Sequence, residues 1–449
     1  MKTEKGQHIY FLGIGGIGMS ALARYFKGQG AIISGYDKTR TALTEKLEQE
    51  GIAIHYSDDS TMIPDETSLV VYTPAIPATL NELAFIKEKG IPLLKRAEVL
   101  GKITESIPTI AIAGTHGKTT ITSMITHLLY QAGIRVTAFI GGIANNFQSN
   151  LVTCPDAEVI VVEADEYDKS FLKLRPQMAV VSSMDADHLD IYNDHLSMIS
   201  NYQEFVNGIK TGGKLIHREG LPLQRNTESS TYAISASALS RAENPGVENG
   251  RFRYDWYYGN NPKITIRLKV AGRHNIENAL AASTVAIQYG IEQHVIAKAL
   301  ESYSGVWRRF DSLVNGPKHF YIDDYAHHPE ELKACISAAK ELFPDKKICG
   351  IFQPHLYSRT RDFMVGFAES LSMLDELILL DIYPAREEPI PGVTSEKLLH
   401  LCTVPTRQLL TKTEVIDYVS ASKPEVLLTL GAGDIDQLVE PLQYLIESW

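Results

Sequence analysis

The sequence predicts an α/β protein whose sheets are mainly parallel. Short apolar strands alternate with amphipathic helices along nearly the whole chain, which is the pattern of parallel α/β sheets. Three times a strand leads through a loop of glycine or polar residues into a helix, starting near His8, Thr109 and Phe320. At about 100 to 200 residues per domain, a chain of 449 residues predicts two to four domains. We place the domain boundaries near residues 106 and 311.

Composition excludes several classes of protein. Lys and Arg number 43 against 54 Asp and Glu, which gives a formal net charge of −11. Such a chain repels a phosphate backbone, so we expect no nucleic acid partner. Four scattered cysteines without a CxxC pair predict reduced thiols rather than disulfides. The chain shows no signal-peptide pattern and no apolar run of about 18 residues, so we expect a cytoplasmic protein without membrane insertion.

The first strand is followed by the pattern G-x-G-x-x-G, formed by Gly13, Gly15 and Gly18. Asp37 follows about 20 residues later, as in dinucleotide-binding loops. We expect the helix that begins near Met19 to bind a diphosphate at its N-terminus. Taken alone, this loop favours an NAD-dependent dehydrogenase. The alternative is that the glycines only allow a tight turn and close helix packing.

The second strand leads into a variant phosphate-binding loop. Ile112 stands where the usual motif has glycine, but the G-K-T core lies between a strand and a helix as required. Backbone N–H groups of the loop would bind phosphate, a lysine would reach the β and γ phosphates, and a hydroxyl would ligate Mg²⁺. We expect the lysine to face solvent when no nucleotide is bound; the alternative is a chance turn. The loop residues are Gly114, Thr115, His116, Gly117, Lys118, Thr119 and Thr120.

Two further strands lead into acidic segments, one at Glu163 and one at residues 185–190. Carboxylates at the carboxyl ends of parallel strands, beside a phosphate loop, are typical of a Mg²⁺ site. A solvated acidic loop is the alternative. His188 is an unusual ligand for Mg²⁺, so from its residue type alone a structural role is favoured.

Other polar residues stay ambiguous when taken singly. Asn275 and Asn278 open an alanine-rich helix, where they could contact an adenine edge or cap the helix. Arginines in the later loops could bind phosphates or carboxylates, although surface charge is the simpler explanation for each. The arginines and the histidine of these loops are Arg308, Arg309, His355, Arg359 and Arg361. The polar stretch of residues 219–262 is interpreted as an excursion of the middle domain rather than a site.

Taken together and in order, these segments resemble the Mur ligase family across essentially the whole chain. The matching words are GIGGIGMS (13–20), GTHGKTT (114–120), EADE (163–166), ADHLDIY (186–192), GRHNIENA (272–279), RRF (308–310), DDYAHHP (323–329), QPHLYSRTRDF (353–363) and YPAREEPIPG (383–392). The resemblance implies a Rossmann-like domain for a UDP-sugar over 1–106, a P-loop ATPase domain over 107–311 and a Rossmann-like amino-acid domain over 312–449.

The resemblance also implies a reaction. ATP would phosphorylate the lactyl carboxylate of UDP-N-acetylmuramic acid, and L-alanine would attack the acyl phosphate, in peptidoglycan precursor synthesis. ATP and Mg²⁺ would be the cofactors, a homodimer is left open, and the first glycine loop would hold a uridine diphosphate instead of NAD.

Roles follow from the resemblance, position by position. Mg²⁺ would be held by Thr119, Glu163 and His188, adenine by Asn275 and Asn278, the γ-phosphate by Lys118 and Arg309, and the ribose by Asp324. Tyr325, His327 and Arg359 would surround L-alanine and the acyl phosphate. The UDP-sugar would contact Gly13, Gly15, Gly16, Gly18, Met19, Ser20, Asp37, Thr73, Ala75, Ile76 and Arg96.

Two departures keep alternatives open. Tyr167 stands where many alanine-adding members have Ser, which resembles the murein tripeptide ligases that recycle a peptide onto the same nucleotide sugar. Leu356 stands where Arg is common. Outside the family, a dehydrogenase would use the first loop for NAD, and a nucleotide-dependent switch would use only the second. The chain has no N-K-x-D motif, which argues against a GTPase.

Overall fold

The computed structural model describes residues 4–185, 195–224, 228–234, 237–385 and 387–449. These residues form three sheets of five, ten and six strands with helices around them. The predicted α/β class with three domains and mainly parallel sheets is confirmed. Within the described ranges, no helix is both long and apolar enough to cross a membrane.

The first sheet has a doubly wound arrangement. Its strands are β1 (His8–Leu12), β2 (Ile32–Tyr36), β3 (Ala53–His55), β4 (Thr67–Tyr72) and β5 (Leu93–Lys95). Its helices are α1 (Ile17–Gly28), α2 (Ala42–Gln49), α3 (Asn81–Lys89) and α4 (Arg96–Thr104), with a 3₁₀ turn at Ser60–Met62. The order β3-β2-β1-β4-β5 is parallel throughout. From β1 the chain builds one side of the sheet through β2 and β3, and it then crosses over to build the other side through β4 and β5. This crossover leaves a crevice at the carboxyl ends of β1 and β4.

The second sheet contains both acidic strand ends and the phosphate loop. Its strands are β6 (Thr109–Ala113), β7 (Val136–Ala144), β8 (Ser149–Val152), β9 (Val159–Glu163), β10 (Met178–Val181), β11 (Lys214–Arg218), β12 (Ser229–Ala233), β13 (Ser240–Glu248), β14 (Arg251–Tyr258) and β15 (Ile264–Leu268). Its helices are α5 (Lys118–Gln131), α6 (His195–Asn207), α7 (Arg273–Gln288) and α8 (Gln293–Ser302), with a 3₁₀ segment at Tyr167–Lys173. The order is β15-β14-β13-β12-β11-β10-β6-β9-β7-β8.

Strand β6 lies between β10 and β9 and is parallel to both. All five of its residues are buried, which explains its uninterrupted apolar sequence. Helix α5 ends two residues before Gly133, whose φ of +80° suits the end of a helix. The stretch predicted as an excursion adds strands β12 to β14 to this sheet, and its Tyr254 and Trp256 are fully buried.

The third sheet begins with one antiparallel strand and is otherwise parallel. Its strands are β16 (Asp311–Asn315), β17 (Phe320–Asp324), β18 (Ile348–Phe352), β19 (Glu376–Leu379), β20 (Thr406–Leu409) and β21 (Val426–Leu430), in the order β16-β17-β21-β18-β19-β20. Its helices are α9 (Pro329–Leu342), α10 (Tyr357–Asp362), α11 (Met364–Leu371), α12 (Ser395–Leu401), α13 (Lys412–Ser422) and α14 (Val439–Glu447), with a 3₁₀ turn at Asp434–Leu438. The sequence predicts β19 to run on to Ile382, but the strand pairing ends at Leu379.

The chain forms two compact units. One contains Met1–Ala242, Trp256–Ile264 and Asn278–Leu300, and its core is formed by apolar residues of the first two sheets and their helices. The other contains Glu243–Asp255, Thr265–Glu277 and Glu301–Trp449, and a separate apolar cluster lies on its third sheet. The domain boundaries at 106 and 311 stay predictions.

Candidate functional site

The first glycine loop lies in the crevice between β1 and β4. Gly13 has a φ of +83°, and a Cβ added there would lie 2.8 Å from Thr73 Cγ2 and 3.3 Å from Ile76 Cδ1. The Gly15 N–H donates to Asp37 Oδ2 at 2.8 Å. The loop therefore lies against the segment after β4 and beside Asp37, as the sequence predicts. The Asp37 carboxylate accepts a hydrogen bond from the loop.

Two of the predicted substrate residues lie inside the protein. Met19 is 2% exposed and Ser20 is 0% exposed. The Ser20 hydroxyl donates to Ile17 O and accepts from the Asn150 side-chain amide. Their side chains are therefore occupied by packing and internal hydrogen bonds, because α1 needs these positions to cover its sheet.

Arg96 lies beside the first glycine loop and also contacts the acidic segment after β9. A Cβ added at Gly18 would lie 2.9 Å from Arg96 Nη1, so a side chain there would shift the guanidinium from its position. Arg96 Nη2 lies 3.6 Å from Asp165 Oδ2. Ala75, the remaining predicted neighbour of the UDP-sugar, donates its N–H to Thr73 Oγ1 at 3.4 Å.

The phosphate loop is closed by residues that follow β10. Gly114 has a φ of +133°, and a Cβ there would lie 2.1 Å from Ser182 Oγ. The Thr115 N–H donates to Ser183 O and the His116 N–H donates to Ser183 Oγ. These two N–H groups thus already have partners in the segment after β10, and phosphate binding by the backbone of the loop stays a prediction.

Lys118 is held inside the loop rather than exposed. Its Nζ donates to Gly114 O at 2.7 Å, to Thr115 O at 3.3 Å and to Glu166 Oε1 at 2.8 Å. The side chains of Lys118 and Glu166 are 16% and 2% exposed. Burial alone would lower the pKa of Lys118, but the Glu166, Asp165 and Glu163 carboxylates outweigh it and raise that pKa. The expectation of a solvent-facing lysine is wrong.

Glu163 closes β9 directly beside the phosphate loop. Its Oε1 accepts a hydrogen bond from the Gly141 N–H at 2.6 Å, and the Thr119 hydroxyl also donates to this carboxylate. A Cβ at Gly141 would lie 2.4 Å from Glu163 Oε2, so only glycine fits opposite the carboxylate. Burial raises the pKa of Glu163 against the effect of its Gly141 N–H, Lys118 and Thr119 neighbours.

This pair of oxygen donors fits Mg²⁺. A carboxylate and a hydroxyl are the hard ligands that Mg²⁺ prefers, and a protein usually supplies only one or two of them beside phosphates and water. The predicted third ligand, His188, lies outside the described residues. Among the residues that the structure describes, no group of three His, Cys, Asp or Glu side chains forms a complete metal cage.

The predicted adenine contacts are both buried. Asn275 is 4% exposed, and its side-chain amide donates to Ala271 O at 2.6 Å. Asn278 is 8% exposed, and its Oδ1 would lie 2.6 Å from a Cβ at Gly117, whose φ is +83°. Asn278 thus lies against the phosphate loop. Thr120, which follows in the loop word, is buried in the first turn of α5.

The segment RRF forms a strained turn before β16. Arg308 and Phe310 have φ values of +59° and +48°. Arg308 is buried, and its Nε donates to Asp323 Oδ2 at 2.8 Å. Both guanidinium carbons lie near the Tyr325 ring, that of Arg308 at 5.4 Å from its centre and that of Arg309 at 5.2 Å. The two arginines differ in exposure, because the Arg309 side chain is 32% exposed and that of Arg308 only 6%.

Asp324 is engaged by the backbone. Its Oδ2 accepts from the Phe310 N–H at 2.6 Å and its Oδ1 accepts from the Ala326 N–H at 2.7 Å. Burial raises the pKa of Asp324 to about 7, against the effect of Arg309 and of these two donors. A ribose contact by Asp324 stays a prediction, and it would have to share oxygens that already position the RRF turn.

Glu331 connects several of the predicted residues of the third domain, and sequence reasoning missed this. Its Oε2 accepts from the His327 N–H at 3.0 Å, and its Oε1 lies 3.7 Å from Arg309 Nη1. In the sequence, Glu331 is an acid at the start of a helix, where acids complement the helix dipole. Its spacing of four residues from His327 was the available signal.

Two imidazoles lie close together beside Arg359. The rings of His327 and His355 are 6.3 Å apart, and His355 stacks on Tyr383 at 5.7 Å. Burial, together with the Arg359 charge, lowers the pKa of each histidine to about 4. Both rings are therefore neutral at pH 7. Tyr325 and His327 are in contact, with ring centres 5.3 Å apart, and the Arg359 charge acts on His327. Their role around L-alanine and the acyl phosphate stays a prediction.

Leu356 introduces the helix that carries Arg359. It has a φ of +70° and a ψ of 136°, a conformation that favours glycine. Its N–H donates to Tyr383 O at 2.9 Å, and its carbonyl accepts from the Thr360 hydroxyl. The backbone at this position is thus fixed from both sides, whichever side chain stands there.

Comparison with known proteins extends over the whole chain. Residues 8–107 match the description "Mur ligase family, catalytic domain", residues 112–286 match the Mur ligase middle domain, and residues 308–433 match the domain described as "Mur ligase, glutamate ligase domain". The chain is 45% identical to UDP-N-acetylmuramate–L-alanine ligase of Flavobacterium johnsoniae, over 100% of both chains. It is also 45% identical to the enzyme of that name from Porphyromonas gingivalis, over 98% of this chain and 99% of that one.

Solved structures agree with this assignment. The UDP-N-acetylmuramate–alanine ligase of Thermotoga maritima superimposes with a TM-score of 0.84 at 27% identity, covering 97% of this chain and 99% of that one. A murein peptide ligase from Psychrobacter arcticus has a TM-score of 0.72 at 22% identity, with 99% of both chains covered, which shows a shared fold. The chain belongs to the Mur ligase family.

Proposed function

We propose that this protein joins L-alanine to the lactyl carboxylate of UDP-N-acetylmuramic acid, at the expense of ATP, in the synthesis of peptidoglycan precursors. The full-length identity of 45% to relatives named for this reaction carries the proposal. The Lys118 and Glu163 arrangement beside a phosphate loop supports the use of ATP and Mg²⁺. We also propose that the enzyme works in the cytoplasm, where its nucleotide substrates are made.

The reaction has two chemical steps. The lactyl carboxylate attacks the γ-phosphorus of ATP, which forms an acyl phosphate and releases ADP. The neutral amine of L-alanine then attacks the acyl carbon, an amide bond forms, and phosphate leaves as the C–O bond breaks. The amine must lose one proton in addition to the one removed from its ammonium form.

Charge neutralisation dominates the first step, because a carboxylate must approach a triphosphate. Lys118 and Arg309 supply positive charge from the phosphate loop and from the RRF turn. Glu163 and Thr119 would hold Mg²⁺, which neutralises the charge that develops on the transferring phosphoryl group. His188 would complete the metal site.

The second step needs a proton acceptor and a carboxylate receptor. His327 Nδ1 lies 2.9 Å from Tyr325 O, so we assign the ring proton to Nδ1 and the lone pair to Nε2. A neutral imidazole with a pKa of about 4 can hold a proton only transiently, which suits passing it on to solvent. Arg359 would bind the L-alanine carboxylate, as a guanidinium can do bidentately.

One sequence feature favours a second candidate, a murein tripeptide ligase. Tyr167 stands beside the EADE segment, where many alanine-adding members have Ser. Such an enzyme would use the same nucleotide sugar and the same phosphate site, and only the acceptor would differ. The dehydrogenase and switch alternatives are not retained, because neither explains full-length similarity to ligases.

Competition between acceptors separates the two candidates. ADP release is measured with UDP-N-acetylmuramate and either L-alanine or the tripeptide L-Ala-γ-D-Glu-meso-diaminopimelate. We expect kcat/KM to be higher for L-alanine. A higher value for the tripeptide would establish the recycling reaction, and an equal rate without any acceptor would remove the ligase proposal.

A further inference from the structure

Lys118 has all three of its ammonium protons directed at protein acceptors. Two are the carbonyl oxygens of Gly114 and Thr115 in its own loop, and the third is Glu166 Oε1 at 2.8 Å. An ammonium group has three donors, so this set uses its full capacity. Any contact between Lys118 and a phosphate must therefore replace at least one of these three bonds.

Glu166 is the charged member of this set and is buried. It is 2% exposed and follows β9 by only three residues, on the same segment as Glu163. A carboxylate that attracts the lysine also repels a phosphate that approaches the same lysine. The loop carbonyls, in contrast, carry no net charge and can share the lysine with a phosphate.

We propose that Glu166 is a positioning residue that holds Lys118 back in the nucleotide-free enzyme and is displaced from it when the nucleotide phosphates bind. The pair keeps a buried cation compensated until the ligand arrives. The Lys118–Glu166 pair lowers the affinity for nucleotide, because it must be broken when the phosphates bind. This inference rests on the proposed function, in which Lys118 contacts the phosphates.

The neighbouring carboxylate offers a matched control. Asp165 lies one residue earlier, is 40% exposed at its side chain and lies 3.6 Å from Arg96. Its charge also acts on Lys118, but less than that of Glu166. Asp165→Asn therefore removes the same charge from the same segment and leaves the hydrogen bond between Lys118 and Glu166 in place. General electrostatic effects on a nucleotide are then separated from release of Lys118.

Binding of Mg·ADP to the full-length protein, measured by calorimetry, tests the proposal. We expect Glu166→Gln to bind ADP about five-fold more tightly or better, because a larger fraction of the enzyme is then competent to bind. Asp165→Asn should change the affinity by less than about two-fold by the same argument. The melting temperature of Glu166→Gln without ligand should fall, and its ADP-induced rise should exceed that of the wild type.

The sign of the affinity change separates this role from a structural one. A residue that merely supports the loop would weaken ADP binding when replaced. Glu166→Asp, which keeps the charge but draws it back from Lys118, should also tighten binding and serves if the Gln variant does not fold. Weaker or unchanged binding by these variants, or equal tightening by Asp165→Asn, would overturn the inference. If the wild type itself bound no ADP, the proposed function would fail instead.

Discussion

The Arg308 guanidinium donates from Nε to Asp323 Oδ2 at 2.8 Å, and the two side chains are 6% and 1% exposed. Arg308 Nη2 also donates to Gly431 O, and the Thr429 hydroxyl donates to the other Asp323 oxygen. This buried network fixes the turn that places Arg309 near Tyr325. The stability of this part of the chain and the position of Arg309, for which we propose a contact with the γ-phosphate, thus depend on the same pair.

Replacing Arg308 should destabilise the protein strongly. Arg308→Ala leaves the Asp323 carboxylate buried without its cation, at a cost of about 3 to 5 kcal/mol. Urea unfolding followed by tryptophan fluorescence measures the loss. Arg309→Ala is the control, since that side chain is 32% exposed, and it should cost about 1 kcal/mol or less while reducing activity. Equal losses of stability in the two variants would contradict this division of roles.

Local sequence patterns predicted the α/β class and the loops that follow β1 and β6. The glycine patterns and the acids at strand ends follow from rules that act within a few residues. Burial of Arg308 could not be predicted in this way, because its partners lie on β17 and next to β21, up to 123 residues away. Surface charge is the simplest interpretation of an arginine whose partner is unknown.

The prediction that Lys118 faces solvent was wrong for the same reason. Its carboxylate partner Glu166 is 48 residues further along the chain. The EADE word was recognised as acidic, but one sequence cannot tell which acid faces the metal and which faces the lysine. Pairing of β6 with β9 decides it, because that pairing carries both acids to the phosphate loop.

Lys118→Ala should abolish ligation and also lower stability. The transition state would lose a charge-assisted contact of about 2 to 4 kcal/mol. The folded protein would keep Glu166 buried without its cation. The double variant Lys118→Ala/Glu166→Gln should regain much of the melting temperature but none of the ADP release. Near-normal ADP release by the single variant would contradict the assignment of the loop.

Metal titrations should distinguish the two proposed metal ligands. Glu163→Ala removes the carboxylate at the end of β9, and added Mg²⁺ or Mn²⁺ should not restore its activity. His188→Ala should be partly restored by either ion, because oxygen ligands at the site would remain. Activity is measured as ADP release over a range of metal concentrations. Identical losses that do not respond to metal would make His188 a structural residue.

Buried histidines should make the protein sensitive to acid. Burial lowers the pKa of His274 to about 4; the Arg309 charge acts in the same direction and the Glu331 charge opposes it. Burial also lowers the pKa of His327 to about 4. In the unfolded chain each has its ordinary value of 6.5. Below pH 6.5 the unfolded state therefore binds more protons than the folded state. The contribution of these two histidines to the free energy of unfolding is complete above pH 6.5 and is lost as the pH falls toward 4.

Urea unfolding at several pH values tests this sensitivity. The free energy of unfolding of the wild type should fall between pH 6.5 and 4, and His274→Gln should reduce that slope by up to one proton. His294→Gln is the control, since that side chain is 72% exposed, and it should leave the slope unchanged. A slope that His274→Gln does not alter would show that other groups cause the loss.

Arg359 should carry the recognition of L-alanine in a loop where Leu356 replaces the arginine common in relatives. Its charge acts on both His327 and His355, which places it in the predicted acceptor cluster. Arg359→Ala should lower kcat/KM for L-alanine by the equivalent of about 2 to 4 kcal/mol. Arg361→Ala is the control, because that side chain is 54% exposed and pairs with Asp362, and it should stay within a few-fold of the wild type.

Leu356→Arg completes the test of this loop. An arginine there would adopt the backbone that Leu356 already has, since hydrogen bonds to Tyr383 and Thr360 fix it from both sides. The variant should therefore fold normally and keep its activity, as the new charge would lie beside anionic substrates. Measured kcat/KM values decide the matter. An inactive Leu356→Arg enzyme, or an Arg359→Ala enzyme close to the wild type, would show that the loop binds its acceptor differently from the way proposed.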